Sequence, residues 1–159
     1  MNEGTWVQGK CVGIMKNGGS DHAWSIFDAN WQTDLVKGLP YGGGMFWDTF
    51  RPVGTDYNYA VAAIAKTIDK GLSETSMYYK KADTLDDLAK QIEVDPTTFK
   101  ATVDRYNKMC ASGADTDFYK ESHFLTPIAQ GPFYAVEIGA GLLCVPGGLH
   151  ISDKFEVLD

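Results

Sequence analysis

Gly131 to Leu149, GPFYAVEIGAGLLCVPGGL, constrains the fold more than any other stretch of this chain. Phe133 to Ile138 (FYAVEI) is a run of β-branched and aromatic residues with turn formers on both sides, which predicts a strand. Gly139, Gly141, Gly147 and Gly148 follow it, at positions where a second backbone or a flat ligand can come close. On residue chemistry alone this is a glycine-kinked strand pair belonging either to a core or to a binding surface. With the elements read below, the expected class is α+β, a small mixed or antiparallel sheet packed with helices.

The upstream pattern supplies the remaining elements. Lys10–Met15 (KCVGIM) and Ala23–Asp28 (AWSIFD) read as two strands separated by the turn Asn17-Gly18-Gly19-Ser20. Asp28 or Asn30 is placed to cap a short helix through Trp31, Leu35 and Val36, which Gly38 and Pro40 would end. Tyr41–Gly44 (YGGG) reads as a hinge or tight turn, because no GK[ST] follows and no GxGxxG is present. In Tyr57–Gly71, Val61, Ile64, Ala65 and Ile68 recur at helical spacing, with Gly71 as the expected end. Met77–Lys81 predicts a strand.

Thr84 opens a helix with Leu85, Leu88, Ala89 and Ile92 on one face and Asp86 and Asp87 in its first turn, where the helix dipole favours negative charge. Asp95-Pro96 signals the next helix start, with Phe99, Val103, Tyr106 and Cys110 as its stripe and Gly113 near its end. Ala114–Pro127 reads as an irregular connection. His150-Ile151 and Phe155–Leu158 read as short strands around a Ser152-Asp153-Lys154 turn.

Composition excludes several function classes. The chain has 159 residues, enough for one domain with a real core. A formal charge of −7 argues against nucleic-acid binding, which needs clustered Lys and Arg. No apolar run reaches the roughly 18 residues that span a bilayer, and Met1–Lys10 lacks the apolar centre of a secretory signal. Cys11, Cys110 and Cys144 form no CxxC pair, and His22, His123 and His150 share no metal-ligand spacing. No metal site is expected. Asp115 and Asp117 read as turn residues rather than a calcium loop.

Three stretches together resemble one family. Lys81–Asp117, KADTLDDLAKQIEVDPTTFKATVDRYNKMCASGADTD, is similar in order and wording to a "LA…IGVDP..L..TV.RYN…GKDTDF" signature. Asn2-Glu3 resembles an "RFVNE" entry, Ile26-Phe27-Asp28 an "IFD" strand, and Pro132–Leu149 a "PFYAVE…G…GGL" strand. These belong to the capping (clamp) domain of the fumarate reductase/succinate dehydrogenase type of FAD-dependent oxidoreductase. The resemblance implies that residues 1–159 are a single substrate-lid domain of a larger protein, whose last ten or so residues re-enter the FAD-binding domain. The family's glycine-rich β-α-β unit and its "GLYAAGE" return are both missing from this sequence. FAD is then the cofactor of the parent protein, its FAD-binding domain is the main partner, and this segment alone is not expected to hold FAD or to turn over.

The resemblance also carries site residues, and here the match departs from the family. In the family an arginine a few residues after "IFD" delivers the proton, within a glutamate–arginine relay, and a histidine before "GG" anchors a substrate carboxylate. Those positions fall at Gln32 and at Leu143 or Cys144 in this chain. Glu3 remains as a counterpart of the relay glutamate. Gly147 and Gly148 are implied to face the flavin. The chain has only two arginines, Arg51 and Arg105. An amide and a thiol cannot neutralise two carboxylates as arginine forks do, so the expected acceptor is not fumarate.

Ten of the twenty aromatics fall within residues 1–60, which fits a core and docking face or a pocket for an aromatic or enone-type acceptor. Tyr41 or Tyr57 would then be the proton donor. Cys144 reads either as a reactive thiol or as a small buried residue filling the histidine's space. Two alternatives stay open: a stand-alone binding module without redox chemistry, and a same-family dehydrogenase running in the oxidative direction.

Overall fold

The computed structural model describes residues 22–38, 41, 57–139 and 152–157, with the side chains at 57–60 and 139 excepted. Its centre is a three-stranded antiparallel sheet of β1 (His22–Phe27), β2 (Tyr79–Ala82) and β3 (Phe133–Gly139), in the order β1-β3-β2. The predicted strand Phe133–Ile138 is thus the middle one. Register pairs Ile26 with Ala135 and Trp24 with Glu137 on one side, and Lys81 with Tyr134 and Ala82 with Phe133 on the other.

Period-two alternation splits the sheet into two faces. Trp24, Ile26, Phe133, Ala135 and Ala82 point toward helices α3 (Leu85–Gln91) and α4 (Pro96–Ser112). There they meet Leu88 and Ile92 in the main core, with Leu88, Ala89 and Ala135 fully buried. On the opposite face Phe27 stacks on Tyr134 with ring centroids 5.2 Å apart, and the Lys81 ammonium lies 5.4 Å from the Tyr134 ring. Helix α2 (Tyr57–Glu74) packs against β2 and against the short helix α1 (Trp31–Gly38).

The helix ends follow the predicted caps. Thr84 Oγ1 accepts from the Asp87 amide at 3.1 Å, and Asp95 Oδ2 accepts from the Thr98 amide at 2.7 Å. Gly113 closes α4 in the left-handed conformation at φ 71, a region that costs most other residues strain. Among the described residues no helix is long and apolar enough to cross a membrane.

Three expectations need correction. Helix α2 does not end at Gly71 but runs to Glu74. Gly71 is there for space: a Cβ on it would come within 2.5–2.6 Å of the Tyr79 ring, so the missing side chain lets β2 approach the helix. The strand expected at Met77 starts at Tyr79, because the Tyr78 amide is turned back to the Thr75 carbonyl at 3.0 Å. Finally, the chain turns at Ser152-Asp153-Lys154 as expected, with the Ser152 amide on the Glu156 carbonyl. But Phe155 has φ 61, which no extended strand allows, so of the strand expected over Phe155–Leu158 the described residues show only a β-bridge at Val157. The predicted strand Lys10–Met15 and the pair His150-Ile151 lie outside the described residues.

Gly71 gives a test in which helix propensity and packing have opposite signs. Gly71→Ala is expected to destabilise the chain by about 1–3 kcal/mol through overpacking on Tyr79. In a Tyr79→Ala background the same change should become stabilising by about 0.5–1 kcal/mol, as for an ordinary helix glycine. Urea unfolding of the four variants measures the coupling, and equal effects in both backgrounds would refute the packing explanation.

Candidate functional site

Helix α1 leaves the sheet directly after β1, and the corner between them is built by one side chain. Asp28 is only 3% exposed. One carboxylate oxygen accepts from the Asn30 amide at 2.8 Å, turning the chain into α1. The other accepts from the amides of Ala129 and Gln130, both at 2.9 Å, on the loop that feeds β3. The Ala29 amide returns a bond to the Gln130 carbonyl at 3.0 Å. A second tie fixes the same loop to α4, where the Asn107 side chain donates to and accepts from the Ile128 backbone, both at 2.8 Å.

The faces of α1 divide cleanly. Trp31, Asp34, Leu35 and Gly38 line a cleft of about 980 Å³, whose walls also include Trp24, Ile64, Phe99 and Phe124. Gln32, Thr33 and Lys37 are exposed on the other side. Gln32, where the resemblance sets the family's acid arginine, is therefore at the surface and does not line the cleft. Gly139 and the start of α1 lie at opposite ends of the β1–β3 ladder, separated by roughly 20 Å of strand.

Tyr41 is 61% exposed and stacks on His123 with centroids 4.1 Å apart. His123 in turn lies 4.2 Å from the Phe124 ring, and its Nε2 is 3.0 Å from a Glu121 carboxylate oxygen. The stack on His123 is a contact that sequence spacing did not indicate, since 82 positions separate the two residues. Of the other predicted site residues, Glu3, Cys144, Gly147 and Gly148 lie outside the described residues, as does the side chain of Tyr57. So does Arg51, while Arg105 is already committed: Asp117 grips it through Nε at 2.7 Å and through Nη2. Asp117, read from the sequence as a turn residue, is thus an ion-pair partner.

Asp115 organises the loop beyond α4. Its carboxylate accepts from the amides of Asp117 and Phe118 at 2.9 and 3.0 Å and of Lys120 at 3.1 Å. These bonds, that of Phe118 foremost, hold its carboxyl below the ordinary aspartate range. The Arg105 guanidinium does the same for Asp117. Burial pushes the Tyr106 phenol far above its usual value, and burial also raises the Cys110 thiol, so neither supplies an anion at neutral pH. Among the described residues no three His, Cys, Asp or Glu side chains are grouped to hold a metal ion.

FAD needs a pyrophosphate cradle, normally backbone N–H groups at a helix start after a glycine-rich turn in a parallel β-α-β unit. The described strands are all antiparallel, and α1, α3 and α4 follow Asn30, Thr84 and Asp95 instead. The described residues do not fit the role of primary FAD holder.

Comparison with known proteins gives a consistent set of relatives. Residues 13–159 match a family model described as an FAD binding domain. A vinyl phenol reductase of Lactiplantibacillus plantarum is 34% identical over 92 residues, covering 58% of this chain and 19% of that protein. A cytochrome-type fumarate reductase of Shewanella frigidimarina is 33% identical over 100 residues, covering 63% of this chain and 16% of the relative. Among solved structures, the open conformation of a flavocytochrome c3 fumarate reductase matches with a TM-score of 0.50 at 25% identity, over 81% of this chain and 17% of that one. The matched region thus spans less than a fifth of each relative's length.

Acid should release the Asp115 loop. A carboxyl whose folded pKa is lowered stabilises the fold above its unfolded value, and that contribution is lost as pH falls through the folded value. Protection of the Phe118 and Lys120 amides is therefore expected to drop below the ordinary aspartate range, as followed by amide exchange. Asp115→Ala should leave both amides weakly protected at every pH. Unchanged protection in that variant would remove Asp115 from the explanation.

Proposed function

The chain belongs to the FAD-dependent oxidoreductase family, and on that premise we propose that it is the substrate-capping segment of a larger flavoprotein that reduces an activated C=C bond. FAD is held by the rest of that polypeptide, and this segment covers the acceptor as a lid. The size of the match supports the reading, because a region like this one makes up 17% of the flavocytochrome chain. The wording of Lys81–Asp117 and of the β3 strand supports it independently.

The acceptor we propose is aromatic or apolar and is not a small dicarboxylate. The observation that carries this is the state of the arginines. Gln32 stands exposed where the family's acid arginine is expected, and Arg105 is already bound by Asp117. Binding two carboxylates calls for free guanidinium forks, and no arginine among the described residues is available for it. A glutamine amide instead suits a neutral carbonyl or phenol oxygen. Tyr41, exposed and stacked on His123, is the proposed proton donor, with Tyr57 as the alternative phenol. Relatives named for vinyl phenol and for fumarate bracket the choice.

The full-length flavoprotein is expected to reduce 4-vinylphenol and aromatic enones faster than fumarate in an anaerobic assay with a reduced dye as donor. Rapid fumarate turnover without activity on aromatic acceptors would overturn the acceptor assignment. Tyr41→Phe should lower kcat by about 10²–10⁴-fold, the range for loss of a general acid, with little change in KM. A kcat unchanged in Tyr41→Phe but lost in Tyr57→Phe would move the proton donor to Tyr57.

A further inference from the structure

We propose that Asp28 is a positioning residue for the acceptor, the latch that sets where the exposed Gln32 side of α1 stands. The inference rests on the capping reading above and adds to it a residue that makes no contact with the acceptor itself.

The geometry exceeds what a helix start needs. A serine or asparagine would turn the chain into α1 with one acceptor oxygen. Asp28 instead uses both oxygens and divides them, one for the Asn30 amide and one for the amides of Ala129 and Gln130, about a hundred positions away. None of the described ion pairs includes it, so its burial is offset by N–H donors alone. Taking a carboxylate out of water costs several kcal/mol, which three charge-assisted bonds can recover only while both segments stay in register. The latch is therefore all-or-none.

What depends on it is small. An eight-residue helix has little intrinsic stability. The far end of α1 packs on α2 and near Phe124, while its first turn is placed by the Asp28 corner, the Ala29–Gln130 backbone bond and the edge contact of Trp31 with Phe27 at 6.0 Å. Gln32 sits in the first turn after that corner. A slip of the corner moves Gln32 by the same amount, and misplacement of about 1 Å at a binding group can cost up to a hundredfold in rate.

The test is a double-mutant cycle of Asp28→Asn and Gln32→Ala in the full-length flavoprotein, read as kcat and KM with 4-vinylphenol, alongside amide exchange at 128–132. Asp28→Asn keeps the shape but offers an N–H₂ where one set of amides needs an acceptor. Its expected effects are faster exchange at Ala129 and Gln130 and a loss of about tenfold to a hundredfold in kcat/KM. Gln32→Ala should lose a similar factor, and the double variant little more than either single one. Losses that multiply to within about twofold would show that Asp28 merely supports the fold and overturn the proposal. Unchanged exchange at Ala129 and Gln130 would overturn it too. Should Asp28→Asn fail to fold, Asp28→Ser, which preserves the turn into α1, takes its place in the cycle. A wild-type enzyme that reduces no aromatic alkene defeats the acceptor assignment and the latch with it. An active wild type with independent losses defeats only the latch.

Discussion

The pairing of β3 with both of its neighbours is the constraint on which the other contacts depend. Among the described residues β1 and β2 do not pair with each other, and each has its hydrogen-bonded partner in Phe133–Gly139 between them. That closure joins residues more than a hundred positions apart and carries a large loop entropy. The burial of Phe133 and Ala135 against Leu88 and Ile92 offsets it, because a strand slipped by one residue would turn both side chains away from the helices. Register, core and sheet order are thus one decision. Local helix signals could be satisfied without it, but the sheet could not.

Around that sheet the polar ties repeat one solution. Asp28, Asn107 and Asp115 each use a side chain to satisfy backbone N–H groups of a segment that has no regular ladder of its own. Two of the three meet on the same loop, Ile128 to Gln130, immediately before β3. A connection without secondary structure would otherwise leave buried amides unpaired, at a cost of about 1–3 kcal/mol each. The loop is therefore held from β1 on one side and α4 on the other. The entry of β3 is thus fixed by side-chain bonds outside the ladder.

Those ties explain which parts of the fold were legible in the sequence. The caps at Thr84 and Asp95, the stripe of α4 and the left-handed Gly113 are local, and each has a residue type that declares it. The Phe133–Ile138 strand is legible for the same reason. Gly71 misleads because glycine serves two purposes, ending helices and admitting close neighbours, and only the position of Tyr79 separates them. Phe155 misleads because a bulky residue at φ 61 contradicts its own preference. The pairing of Tyr41 with His123 and the far half of the Asp28 corner join distant positions, and no periodicity reports such contacts. Part of the family wording falls on residues that make distant bonds, Asp28 of the "IFD" strand and Asn107 of the "RYN" run, which periodicity does not report.

The same accounting bears on charge at the candidate site. The chain carries 14 lysines and arginines against 21 aspartates and glutamates, with arginine reduced to two. Arg105 serves the loop beyond α4, and the Lys81 ammonium rests over Tyr134 on the sheet face away from the main core. Lys37, exposed on the same side of α1 as the Gln32 turn, is paired with Asp34 at 3.2 Å. A dianionic acceptor brought to that turn would lose its hydration without gaining paired charges, and the desolvation of two carboxylates outweighs what a single amide can return. A neutral aromatic acceptor incurs no such cost on burial. On the reading proposed above, glutamine in place of an arginine removes a positive charge, and with it the bidentate pairing that a carboxylate calls for.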